Sequence, residues 1–228
     1  MEVLADVRFE LDVNAVMSKL RIDEGSEDAK HFHDFVEEAR PIVKPKAIYE
    51  ICYVEERGCD TVTIGGVRFT SRALRVKLEK IERVFPFIAT CGKELDEIKP
   101  ASDDFVKRYW LDTVKSIALG CSITHLNDYL KRKYALAKSS AMSPGAADKD
   151  VWPIEQQREL FSIFPDAEDM IGVRLTESCL MLPNKSVSGI RFPTEIAFES
   201  CQLCRRKNCS SRRAAFDKKM HGDILAGK

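Results

Sequence analysis

The sequence lacks a net charge: 36 Lys and Arg residues offset 36 Asp and Glu residues over 228 positions. A chain so balanced projects no global field that would gather nucleic acid or an anionic membrane surface. It also lacks a long hydrophobic run. No stretch approaches the roughly 20 apolar residues of a membrane-spanning helix, so no membrane span is expected. The opening residues, MEVLADVRFELDV, have neither a basic start nor an uninterrupted apolar stretch and do not read as a signal peptide. Internal repeats and low-complexity tracts are absent, which removes repeat architectures. Histidine is scarce, at four residues, and neither Ser nor Cys is grouped with His and Asp in a hydrolase motif. The expectation is a cytoplasmic protein whose 44% hydrophobic content supplies an ordinary buried core.

Eight cysteines are present. Cys52, Cys59, Cys91, Cys121 and Cys179 are scattered through apolar or strand-like segments, where a thiol serves as a small buried hydrophobe. Cys201, Cys204 and Cys209 crowd into nine residues. In a reducing compartment such a cluster points to metal or redox chemistry rather than a disulfide framework.

The patterning alternates between strand and helix. Val3–Leu11 alternates well enough for a strand, and a short helix is expected at Asn14–Leu20. Ser26 opens a helix carrying Ala29, Phe32, Phe35, Val36 and Ala39 at helical spacing, ended by Pro41. Ala47–Val54 reads as a strand. Thr61–Ile64 and Val67–Phe69 flank Gly65-Gly66, a dipeptide suited to the positive φ angles of a tight hairpin. Leu74, Leu78 and Ile81 predict a helix, and Val84–Thr90 a buried strand. Asp103 or Asp104 opens the longest helix, which runs to about Tyr134. Residues 139–150 (SSAMSPGAADKD) have loop composition, and Pro153 suits the first turn of a helix. Ile171–Leu182 and Val187–Phe192 read as strands joined by Pro183-Asn184-Lys185. This mixed order predicts an α+β fold: a single domain with a twisted antiparallel sheet and flanking helices. Residues 1–198 would form it, and 199–228 a cysteine-rich, basic C-terminal segment.

Two stretches carry a resemblance. The stronger is IGVRLTESCLMLPNKSVSG, from Ile171 to Gly189. The second joins Ser143-Pro144-Gly145 to Trp152-Pro153 and the helix with Gln156, Gln157, Leu160 and Phe161. Together they resemble the activation (reactivation) domain of vitamin B12-dependent methionine synthase, as its free-standing members carry it. Ala89-Thr90-Cys91-Gly92 and the helix over Leu111–Leu130 are also similar.

The resemblance implies corrinoid methyltransferase reactivation. When a catalytic cob(I)alamin oxidises to cob(II)alamin, a reductase returns one electron and S-adenosylmethionine donates a methyl group to cobalt. The activation domain would orient the methyl donor above the corrin. Cobalamin would sit on a partner, a corrinoid-binding methyltransferase or methionine synthase subunit, with this chain working in trans. A flavodoxin-like or ferredoxin-like donor would supply the electron. By the same resemblance Ser143, Pro144, Gly145, Thr176, Glu177, Ser178, Ser186 and Ser188 would face the cofactor or the corrin. The plainer reading of the Thr and Ser set is that alternate strand residues face water while the serines bond to backbone.

Where the family motif reads Arg-x-x-Pro-Gly-Tyr, this sequence has Ala141-Met142-Ser143-Pro144-Gly145-Ala146. The family's arginine suits the carboxylate of S-adenosylmethionine, and its loss costs on the order of 100-fold in affinity. Three readings stay open: an altered S-adenosylmethionine site with Lys149 or Arg174 as the replacement cation, an accessory subunit that keeps only the partner-facing surface, or a scaffold. The paired tyrosines of full-length enzymes have no counterpart near Ala197-Phe198.

Cys201-x2-Cys204-x4-Cys209 offers three thiolates to one zinc ion or iron–sulfur cluster. Cys179, His221, an exogenous ligand or a partner would complete the set, and a metal-free knuckle is the plainer alternative. The same loop opens a basic tail, from Arg205 to Lys219. Without interleaved aromatic residues the tail reads as a solvated or protein-docking surface, not a nucleic-acid site. A non-catalytic metal-binding accessory or interaction protein is therefore the alternative function. His31 and His33 flank Phe32 on a helix and point apart.

Overall fold

The computed structural model describes residues 1–195, 198–209 and 211–226. β1 (Glu2–Leu4) is followed by α1 (Val13–Leu20) and α2 (Glu27–Ala39). Both helices start as short polar side chains dictate: the Asp12 carboxylate accepts from the Ala15 amide and the Ser26 hydroxyl from the Ala29 amide. Then come β2 (Lys46–Tyr49), β3 (Cys52–Arg57), β4 (Thr61–Ile64), β5 (Val67–Thr70), α3 (Arg72–Lys77) and β6 (Arg83–Thr90). Gly65 and Gly66 take φ of 55° and 77°, turning β4 into β5 as the two-residue loop requires.

The 30-residue α4 (Phe105–Tyr134) is capped by Asp104, whose carboxylate accepts from the Lys107 amide. After it lie β7 (Ser139–Met142), α5 (Gln157–Ser162), α6 (Ala167–Ile171), β8 (Arg174–Leu175), β9 (Met181–Leu182), β10 (Ser186–Pro193) and α7 (Lys218–Leu225).

The sheet is antiparallel in every pairing and centres on β6. β2 and then β3 run along one side of β6, and β10 along the other, with β7 beyond β10. Helices and loops cover both faces of β6, which is why seven of its eight residues are buried and its sequence reads as a continuous apolar run. On one face Phe85, Phe87 and Ala89 pack with Leu126 and Leu130 of α4. On the other, Met142, Ile190 and Phe192 pack with Trp152 and Leu160. Leu203 and Ile224 of the C-terminal segment join that second cluster, so the segment is built into the same core.

Several expectations need correction. The strand expected over Val3–Leu11 stops at Leu4, because Leu4 pairs with Ala47, next to the first residue of β2, and its partner then ends. Residues beyond it cross to the helical layer, where Phe9 and Leu11 pack. The strand read over Ala47–Val54 breaks into β2 and β3, yet both follow β6. Residues 139–142 form a strand despite their loop composition, since β10 offers them a ladder of partners. The long strand expected at Ile171–Leu182 is instead a helix end and a minimal hairpin. Gly172, at φ 73°, closes α6, and the Thr176 hydroxyl accepts from the Leu180 amide at 3.0 Å, folding the chain back. Cys59 is exposed, not buried.

Candidate functional site

β7 and β10 pair so that Ala141 faces Arg191 across the ladder and Ser139 faces Pro193. Side chains alternate across a strand, so Val187, Gly189 and Arg191 share the face that looks toward α4. Gly189 lets β7 and the chain after it approach closely: a Cβ there would stand 2.5 Å from the Met142 carbonyl oxygen, 2.6 Å from the Ser143 hydroxyl and 3.2 Å from the Phe87 ring. Between this face, Ile123 of α4 and the chain at 198–201 lies a cavity of ≈ 250 Å³. Its apolar wall is Phe87, Ile123, Val187 and Phe198; its polar groups are hydroxyls of 139–143 and the charges of Arg191, Glu199 and Arg213.

Arg191 is the unusual member. Nη1 donates to the Ser139 hydroxyl at 2.9 Å, while Nε is buried without an acceptor among the described residues. Burial pulls its pKa below the ordinary value; Glu199 opposes that shift and Arg213 adds to it. A buried donor left unpaired costs roughly 1–3 kcal/mol, more when charged, and is the kind of group that a ligand satisfies.

The structure divides the residues singled out from the sequence. Ser143 lines this cavity, as do Ala141 and Ala146. Pro144 is buried beside them. Gly145, at φ 74°, donates its amide to the Trp152 carbonyl and lines a neighbouring cavity. Thr176, Glu177 and Ser178 sit on the β8–β9 turn and line neither space. There the Thr176 and Ser178 hydroxyls are 3.0 Å apart, and the Glu177 carbonyl accepts from Arg158.

Ser186 bonds to Thr90 and to the Pro183 carbonyl, and buried Ser188 donates to Gln157 Oε1 at 2.7 Å. β10 is an interior strand, flanked by β6 and β7, so these serines hold the sheet together instead of forming an open polar edge. Lys149 and Arg174, the cations considered as replacements, are elsewhere: Lys149 lines a different depression and Arg174 lies 3.9 Å from Glu168. Sequence reasoning missed Arg191, Glu199 and Arg213. The available signal was a lone basic residue inside an apolar strand, GIRF.

Cys201, Cys204 and Cys209 line one small cavity of ≈ 130 Å³ with Asp148 and Arg212. Arg212 organises the loop, donating to the carbonyls of Cys201, Cys204, Arg206 and Ala214. Among the described residues no three His, Cys, Asp or Glu side chains converge on a point where one ion could sit. Cys179 is buried in the β8–β9 turn and is not part of this loop's cavity. His221 lies 3.7 Å from Asp148, its Nε2 buried without a hydrogen bond among the described residues. Ala197, where the family's paired tyrosines were sought, lies outside the described residues.

A larger and more open cleft, ≈ 970 Å³, runs along α4 beside Arg8 and Glu10. No helix among the described residues is long and apolar enough to cross a membrane.

An antiparallel sheet with helices on both faces and a polar cavity at its β7–β10 side defines an α+β domain. The family model described as vitamin B12 dependent methionine synthase, activation domain, matches residues 124–200. The crystal structure of the MetH reactivation domain bound to AdoHcy superposes over 84% of this chain and 70% of its own, with a TM-score of 0.55 and 14% identity. The chain shares that domain's fold. No curated protein matches it.

Proposed function

We propose that the chain holds S-adenosylmethionine in the β7–β10 cavity and assists the reductive remethylation of cob(II)alamin carried by a separate corrinoid methyltransferase, as a methionine synthase activation subunit. One observation carries this reading. The family match at residues 124–200 takes in most of the cavity's lining: Ser139, Ser140, Ala141, Ser143, Ala146, Val187, Arg191 and 198–200. The Arg191 Nε, buried and unpaired among the described residues, fits a polar ligand with an acidic end. When bound, S-adenosylmethionine supplies a methyl group made electrophilic by its sulfonium.

The chain's own residues do the positioning. Phe87, Ile123, Val187 and Phe198 take the apolar part and exclude water, Ser143 and the turn through Pro144 and Gly145 border the site, and Glu199 attracts an ammonium group. Holding the ligand in one orientation turns a rare encounter with cobalt into a positioned one. The β8–β9 turn, with Glu177 and Ser178 exposed, would face the corrinoid partner, while Ser186 and Ser188 keep the ladder in register. The C-terminal segment from residue 199, packed on the same core, would close the cavity and present basic residues to an acidic flavodoxin-like or ferredoxin-like donor in the reducing cytoplasm.

The test is anaerobic: the full chain is mixed with a corrinoid methyltransferase in the cob(II)alamin state, S-adenosylmethionine and a one-electron reductant. Loss of the cob(II)alamin band at least tenfold faster with the chain supports the proposal. An unchanged rate contradicts it.

A second reading is a non-catalytic accessory protein whose C-terminal cysteines hold zinc or an iron–sulfur cluster. It is favoured by the cavity that all three share. As placed, the thiols do not fit a closed site, and Arg212 already satisfies the loop's carbonyls, so no step is routed through a metal. Metal analysis with an absorption spectrum of anaerobically purified protein decides: no metal and no broad visible band would end this reading.

A further inference from the structure

The cation missing at position 141 has a neighbour in the ladder. Ala141 and Arg191 are register partners in the β7–β10 pair. Directly opposed residues keep their Cβ atoms about 4.5–5.5 Å apart on one face of the sheet. An arginine on either strand therefore brings its guanidinium to the same space above that face. Here the β7 member is a methyl group, which leaves room, and the β10 member is an arginine.

We infer that Arg191 anchors the carboxylate of an α-amino-acid headgroup in this cavity, with Glu199 receiving the ammonium. Three observations support the assignment. Arg191 has one nitrogen fixed by Ser139 and another, Nε, buried with no acceptor among the described residues, so the guanidinium is held in place with donor capacity to spare. Arg213 lines the same cavity, giving it a second positive charge, and lies 4.0 Å from Glu199, its one acidic lining residue. The remaining polar lining is neutral: hydroxyls of Ser139, Ser140 and Ser143 on one side and of Ser200 and Ser211 on the other, with Cys201 beside them. Two cations, one carboxylate and neutral hydroxyls above an apolar floor complement a zwitterion joined to an apolar body. They do not complement a dianion such as a phosphate ester, which Glu199 would repel. The planar fork of arginine suits a carboxylate through paired, charge-assisted hydrogen bonds.

This assignment rests on the proposed methyl-donor site and deepens it, and the experiment separates the two. The full chain is titrated calorimetrically with S-adenosylhomocysteine and with decarboxylated S-adenosylmethionine, in wild type, Arg191→Met and the double variant Ala141→Arg/Arg191→Met. Thermal melts check that each variant folds. In parallel, the Arg191 Nε–H resonance, assigned by its loss in Arg191→Met, is followed during addition of S-adenosylhomocysteine and of L-methionine.

Arg191→Met is expected to weaken S-adenosylhomocysteine by about 100-fold. It should leave the decarboxylated compound within about threefold, and the double variant should recover at least tenfold of the loss. The Nε–H resonance should move with both carboxylate ligands. If S-adenosylhomocysteine binds wild type and Arg191→Met equally, the anchor is overturned while the methyl-donor site stands. If S-adenosylhomocysteine fails to bind wild type but L-methionine shifts Nε–H, the methyl-donor reading falls and the anchor survives. If no ligand binds and no resonance moves, both fall.

Discussion

The β7–β10 pair and the β8–β9 hairpin are equally conspicuous as sequence, and they differ in how their polar groups are satisfied. In the hairpin the Thr176 hydroxyl takes the Leu180 amide and lies 3.0 Å from the Ser178 hydroxyl, and the Glu177 carbonyl takes Arg158. Its prominent residues answer one another. In the strand pair, Arg191 Nε has no acceptor among the described residues and lies beside a cavity of ≈ 250 Å³. A motif can mark a family because its turn must close in one way, without touching a ligand. Unspent hydrogen-bonding capacity beside open volume is the better guide to chemistry.

Four perturbations break or sharpen this contrast, beginning with the largest effect. Gly189→Ala places a Cβ 2.5 Å from a backbone oxygen and should cost about 3 kcal/mol, because backbone on a paired strand moves little. Chemical denaturation would register it, and a melt like wild type would show that the strand pair is looser than described. Ser188→Ala removes the hydroxyl that faces Gln157 in the interior and should cost about 2 kcal/mol by leaving a buried amide oxygen unpaired. A loss of ligand affinity exceeding that loss of stability would return Ser188 to the site.

Thr176→Val should cost about 1 kcal/mol through the lost Leu180 contact, with ligand affinity unchanged in calorimetry. A tenfold fall in affinity would erase the distinction between the two regions.

The smallest effect provides a control away from both. Hydrogen bonds from Lys133, Tyr129 and Tyr49 hold the Glu2 carboxyl down at about 2. Its folded value is depressed, so the stability it contributes is present above the ordinary value of 4.5 and is lost as pH falls from there through about 2. Glu2→Gln should flatten the thermal stability profile in that window. An identical acid slope in wild type and variant would contradict the network.

Much of the fold was legible because local rules and tertiary packing agree. Ser26 and Asp104 cap the helices they were expected to open, Gly65-Gly66 turns the hairpin, and the apolar run of β6 is a strand covered on both faces. Legibility failed where a partner decided the outcome. Residues 139–142 have the composition of a loop and become a strand only because β10 lies beside them. Residues 171–182 alternate like a strand, but Gly172 and Thr176 bend them before a ladder can form.

The site was legible in part for the same reason. The loop at Ser143–Gly145 could be picked out because its residues are contiguous. Arg191, Glu199 and Arg213 could not, because they meet only after β10 has paired and the C-terminal segment has packed onto the core. Neither Lys149 nor Arg174 lines the cavity; Arg191, across the ladder from Ala141, and Arg213 do.

Hydrogen–deuterium exchange of the full chain, with and without saturating S-adenosylhomocysteine, tests the central claim most directly. The account predicts slowed exchange in residues 139–146, 187–192 and 198–201, with 174–182 unchanged. Protection confined to 174–182, with the β7–β10 pair unaffected, would contradict it.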